Sequence, residues 1–374
     1  MRSRRDSDRR GIALVIALFA LVVIGALVAA VFFAAQLEVR SGTNVMSGLQ
    51  ADQAAQAGLE YAAANWRRSW AKQGTGNSIG INWIQLGSTN GYFTDSVTQL
   101  NSQLVVVRSF GQARDGVGGV IGSRTGGMLF KVAPPDFGIS AAATVSGSAW
   151  TVSPGTIRGT DSIPGGGAWS SACASLVRTD RTGIRASSTT NNSGATITGN
   201  PAGISNTDAS VPTTIAKVEG LFGTLQGMAD LSLGSVPGTV QPVLTAGHAC
   251  ATGSGQPGNW GDPTYAPSGM WSGTHPCASY FPIIYLSSSG TNDLSGVVGQ
   301  GILIAQGNLA FGTGSRFYGP VITRGWVTMQ SGARIYGAII AEQGTVAGNG
   351  FEADYSSCAV TLAAQAALTG RPLS

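Results

Sequence analysis

Charge is scarce in this 374-residue chain: Asp, Glu, Lys and Arg together make up 11% of it. Beside 55 glycines, so few charges argue against a helical body and for a turn-rich, β-rich one. Histidine is rarer still, with two, and there are four cysteines. No C-x2-C pair occurs and the cysteine spacings are long, which argues against zinc. No metal or cofactor is expected. The net charge of +4 suggests nucleic acid until it is located. Residues 1–11 hold five arginines and two aspartates, and without them 17 basic and 16 acidic side chains remain. Nucleic-acid binding usually needs a clustered basic face. None is visible, so no specific nucleic-acid partner is expected.

Catalytic patterns are equally thin. Gly76-Asn77-Ser78-Ile79-Gly80 fits G-x-S-x-G. A nucleophile elbow needs a strand before it and a helix after it, and here a helical segment precedes a β-like run. The match reads as coincidence. Both histidines, His248 and His275, fall in one Pro-, Gly- and Trp-rich stretch and read as loop residues. The acids Asp293, Glu342, Glu352 and Asp354 are scattered, without the repeated Asp of calcium coils or a clear carboxylate pair. No catalytic residue is assigned, and the chain is not read as an enzyme.

What is present begins with an apolar run. Ile12 to Ala35 is 24 residues without charge or proline. At about 1.5 Å per residue such a helix is roughly 36 Å long, enough to span a bilayer with some tilt. The arginines before it favour retention of that end in the cytoplasm, giving a single pass. A signal peptide has a shorter apolar region and a small-residue cleavage site. Past Gln36-Leu37-Glu38-Val39-Arg40 the chain still reads as helix. Leu59, Ala62, Ala63, Trp66 and Trp70 recur at helical spacing.

These blocks resemble the type IV prepilin plan, and more closely the N-terminal region of PilX-type minor pilins. The matching residues are Arg10-Gly11-Ile12-Ala13-Leu14-Val15, then Gln36 to Arg40 with Asn44, then Gln53-Ala54-Ala55-Gln56-Ala57-Gly58-Leu59-Glu60-Tyr61-Ala62. They cover about the first 70 residues. The resemblance implies cleavage by prepilin peptidase between Gly11 and Ile12. It also implies an inner-membrane precursor, an extracellular pilus as destination, other pilins as partners through this helix, and a tip adhesin as a further partner. Ile16 stands where most pilins carry glutamate, which PilX-type members commonly lack; a tip or priming role is then more natural than a shaft role. Two alternatives stay open. A membrane-anchored envelope enzyme acting on polysaccharide has no reason to place Gly11 before the span. A minor pseudopilin of type II secretion shares the N-terminal half and leaves the repeat below unexplained.

Four regions are expected: a leader (1–11), a transmembrane and stalk helix (12–72), a small antiparallel β region (73–133) and a β-helix domain (134–374) with a loop insertion at about 241–282. In the third, 73–83 reads as a glycine-rich exit, with β-like runs at 103–108 and 127–132 and a short strand at Val120-Ile121. In the fourth, residues 301–318, 319–336 and 337–355 are units of 18, 18 and 19 residues. Glycine opens each, Ile304, Ile322 and Ile340 share the fourth place, and tyrosine closes each. Such a period is a solenoid signature, and glycine suits corners that need positive φ. Weaker echoes occur at 139–159 and 194–206, and 362–368 reads as a helix capping the final coil. The fold class is therefore α+β, with a long N-terminal helix, a small antiparallel sheet and a Gly-rich parallel β-helix. Cys173, Cys250, Cys277 and Cys358 allow two disulfides in three pairings, of which Cys250–Cys277 is the easiest. Arg316 and Arg334, one repeat apart, are surface candidates, as are the insertion aromatics Trp260 and Trp271; Tyr265 and Tyr280 accompany them.

Overall fold

The structure is a computed structural model describing residues 7–71, 73–101, 103–152, 154–164, 169–174, 176, 178–266, 275–344, 346–347 and 350–373. It divides into two compact units, 1–131 with 370–374, and 132–369.

In the first unit, helix α1 (Ser7–Ala64) runs 58 residues, with no proline to interrupt its ladder. From residue 14 to 46 every side chain is exposed. Packing begins at Ser47 and follows helical spacing through Ala51, Ala54, Ala55, Gly58, Leu59 and Ala62, all buried. The helix stops before Trp66, so the stripe read from the sequence is half right. Leu59 and Ala62 belong to it, whereas Trp66 and Trp70 come after the helix; Trp66 stacks on Phe130 with ring centroids 5.4 Å apart and meets Trp70 edge-on at 5.5 Å.

The small residues let the helix approach an antiparallel sheet closely. Its strands β1 (Ser78–Gln85), β2 (Gly91–Asn101), β3 (Leu104–Arg114) and β4 (Val120–Ala133) lie in chain order, and the C-terminal strand Thr369–Pro372 pairs beyond β4. A Cβ on Gly111 of β3 would run into the Ala51 carbonyl oxygen and the Ala55 nitrogen; one on Gly122 would sit 2.6 Å from the Ser47 oxygen. Asp95 is buried beneath Gly58, opposite Ser109. Burial pushes its carboxyl above the usual range, with Ser109 pulling against it. Two features differ from the sequence reading. From residue 78 the expected glycine-rich exit (73–83) is already part of a strand, Ser78–Gln85, and residues 370–372, expected with the second body, pair into this sheet.

The second unit is built from short parallel strands stacked in rungs. Pairing runs at 18 residues through the repeat: Ile304 lies beside Ile322, and Ile322 beside Ile340. One column passes through Leu231, Ile284, Leu303, Val321, Ile339, Ala143, Ile184 and Ile204. The echo at 139–159 thus stacks after the last repeat, although it precedes it in sequence. Helix α3 (Ser210–Gly227), which follows the short helix α2 (Trp169–Ala174), carries the chain between the two ends of the stack.

Both faces of the central sheet are buried. Leu303, Val321 and Ile339 join the large cluster with Leu309, Phe311, Phe317 and Met329. Ile304, Ile322 and Ile340 point the other way, into a second cluster with Phe222 and Leu225 of α3 and Ala363 and Ala364 of helix α4 (Ser357–Ala366). Helix α4, expected as an end cap at 362–368, therefore covers a sheet face. Pairing at 18 continues into the 19-residue unit, so Asp354 and not Tyr355 follows Tyr336 in the tyrosine column. Tyr318 and Tyr336 stack there, with centroids 5.3 Å apart.

Candidate assembly surface and charged column

The largest exposed apolar surface is the first half of α1. Its residues from 14 onward form the one helix among the described residues long and apolar enough to cross a membrane, and its most apolar stretch is entirely exposed. Leu14, Leu18, Leu21, Phe32 and Phe33 are each at least 60% exposed, and Ile16 is 63% exposed. Surface of this kind needs lipid or other apolar helices against it. Gly11 and Ile12 lie within the helix.

A second concentration of chemistry lies on the rungs of the second unit. Arg316 and Arg334 are register neighbours and both exposed, followed in the same column by Glu352 and Thr156. Two acids break the expected row of like charge. Arg334 Nε lies 3.3 Å from Glu352 Oε2, and Arg158 Nη1 lies 2.6 Å from Glu352 Oε1 and 3.2 Å from Asp354 Oδ2. Burial, then Glu352, pushes the Asp354 carboxyl up to about 6, against the pull of Arg158 and Arg334. Beside them a cavity of about 370 Å³ is lined by Arg334, Glu352, Thr156, Thr196 and Phe351. Arg158 and the Glu352–Asp354 pair are almost 200 residues apart in sequence, and no local signal announces their meeting. Another such clasp joins α3 to the sheet. Arg324 donates to both Glu219 oxygens (2.9 and 2.6 Å) and to Gln306 (3.0 Å), with its guanidinium 4.1 Å from the Phe222 ring centre. Burial and Glu219 together push Glu342 up to about 7.

The cysteines meet as Cys250–Cys277 and Cys173–Cys358. Trp260, read as an exposed aromatic, is instead fully buried: it packs against Gly299, donates from Nε1 to the Pro257 carbonyl at 3.0 Å, and its own carbonyl accepts the Gln300 amide at 3.0 Å. The loop folds back onto the stack there, and Gln300 Nε2 pins it through the carbonyls of Cys277, Ala278 and Tyr280 at 2.8–2.9 Å. Tyr265 and Tyr280 are half-buried. Trp271 lies outside the described residues. His275 Nδ1 lies 3.1 Å from the Tyr265 carbonyl oxygen. Ser78 of the G-x-S-x-G match sits in β1, its hydroxyl 2.6 Å from that of Thr98. No group of metal-ligating side chains occurs among the described residues.

No protein-family model matches the chain, and no curated protein matches it. Among solved structures, the competence-associated pilin ComZ from Thermus thermophilus is similar at 14% identity, over 88% of this chain and 97% of that chain, with a TM-score of 0.23.

Proposed function

We propose that this chain is a non-enzymatic minor pilin of PilX type, held in the inner membrane as a precursor and then assembled into a type IV pilus. The observation that carries the reading is α1, an unbroken helix whose first half is bare and apolar while its second half packs on a sheet. Lipid and a bundle of other pilin helices accept the same apolar surface, so one helix serves both stages. The arginines before the span support a cytoplasmic N-terminus, and Gly11 at the boundary supports processing by prepilin peptidase. Ile16 in place of an acid favours a priming or tip position. In this reading the rungs of the second unit wind as a parallel β-helix displayed outside the cell, towards other minor pilins or an adhesin.

N-terminal sequencing of the protein from sheared surface filaments tests this. The mature chain is expected to begin at Ile12, and Gly11→Trp is expected to leave the full-length precursor in the inner membrane. Normal processing of that variant would sink the reading.

A further inference from the structure

The five-stranded sheet of the first unit has two unlike edges. One ends in the four-residue strand Thr369–Pro372, which is short and closes on a proline. The other is β1, eight residues long (SIGINWIQ), with no charge and no proline, and most of its side chains are exposed. Natural edges are usually blunted by charge, proline, brevity or a bulge. This one has neither charge nor proline and is not short; its register with β2 shifts only between Ile81 and Ile84, and Ile79 and Trp83 stand 39% and 45% exposed on it.

A cavity of about 260 Å³ runs alongside this edge, between β1 and the end of the stalk helix. Tyr61, Trp70, Ile79 and Ile81 give it apolar walls, and Arg67 and Asn82 supply polar groups. Arg67 is exposed, and its guanidinium has no hydrogen-bond or ion-pair partner among the described residues. Counting in twos from Asn77, whose carbonyl accepts the Gln99 amide, Gly80 falls where the N–H points away from β2. Open backbone groups, apolar pockets for alternate side chains and one unpaired cation are what an added strand needs.

We propose that β1 and its cavity receive an extended, acid-bearing strand of a partner protein, added edge-on to the sheet, with the carboxylate seated on Arg67. Charge selects this occupant over a second copy of the chain. Another β1 is uncharged and brings no acid for Arg67. The surface does not depend on the pilin reading, so either idea can fail alone.

The test uses the full chain in detergent micelles and, as probe, a synthetic strand of alternating valine and threonine carrying one aspartate. The same peptide with lysine in that place is the control. The aspartate peptide is expected to bind several-fold tighter and to slow amide exchange across Ser78–Gln85. Arg67→Glu is expected to reverse the preference. Gly80→Pro removes the outward N–H at a position with open space, and is expected to abolish binding without changing thermal unfolding. Should the proline variant unfold, the Arg67→Glu reversal still decides. Equal binding of the two peptides, protection outside β1, or undiminished binding by folded Gly80→Pro would overturn the proposal. So would a concentration-dependent dimer of the chain alone that Gly80→Pro dissolves.

Discussion

Gly319 lies so close to the carbonyl oxygen of Gly301, one rung away, that a Cβ on Gly319 would collide with it, and its φ of +136° disfavours any other residue. Gly337 repeats the relationship with Gly319 at φ +154°. Both glycines open a repeat unit and lie inside the strands Arg316–Thr323 and Arg334–Ala341, at places where backbone and space alike require glycine. Gly319→Ala is expected to cost about 2–4 kcal/mol, from backbone strain and overpacking together. Gly220→Ala on α3, where nothing lies within 4 Å, is expected to stabilise by about 0.5–1 kcal/mol. Urea unfolding of the two variants checks both signs, and equal effects would contradict the close approach of Gly319 to the Gly301 carbonyl.

A second pair of substitutions probes the helix-covered face. Ile322 is 2% exposed between its sheet neighbours and the cluster containing α3 and α4. Ile322→Ala is expected to destabilise by about 2–5 kcal/mol. Arg334→Ala removes a partly exposed ion pair and is expected to cost less than about 1 kcal/mol. Amide exchange in α3 should accelerate in the first variant only; unchanged protection there would mean that the helix is held by other contacts.

How much of this was legible from sequence follows from where the periodicity survives burial. The bare half of α1 and the 18-residue register could be read directly, because each repeats. Which face Ile322 occupies could not, since the strand Arg316–Thr323 is buried at every residue after the first and shows no alternation. Strand β2 was hidden for the opposite reason. It alternates faultlessly from Gly91 to Gln99, but Asp95 and Gln99 are among its inward residues, so polar letters stand at core positions. Trp260 looked exposed because loops usually are, and only the fold-back over Gly299 buries it. The salt bridges of Arg158 and Arg324 join residues 105 to 196 apart, beyond any local pattern.

The two disulfides should contribute unequally. Cys250 and Cys277 are 27 residues apart, whereas Cys173 and Cys358 are 185 apart. On the chain-entropy account the first closure is worth about 3–4 kcal/mol and the second about 5 kcal/mol. Replacing Cys173 and Cys358 together by serine is therefore expected to lower stability more than replacing Cys250 and Cys277. Denaturant midpoints in the reverse order would show that unfolded-state entropy is not the leading contribution here.

The charged column predicts a pH dependence whose sign is fixed by Asp354. Its carboxyl is pushed up to about 6 by burial and by Glu352. In the unfolded chain an aspartate titrates near about 4, so the folded state binds the extra proton between those values. The stability that this proton supplies is fully present below about pH 4 and is lost as pH rises through about 6. A shift of this size corresponds to at most about 3 kcal/mol, the arginines reducing it. Asp354→Asn keeps the shape and cannot titrate. The stability of the variant relative to the natural chain should therefore rise between about pH 4 and pH 7. Arg158 keeps Glu352 as a partner in that variant, 2.6 Å away, so the ion pair is not wholly lost with the aspartate. Urea unfolding at several pH values across this range checks the trend. Parallel curves for the two proteins would mean that Asp354 is ionised throughout, its burial outweighed by Arg158 and Arg334.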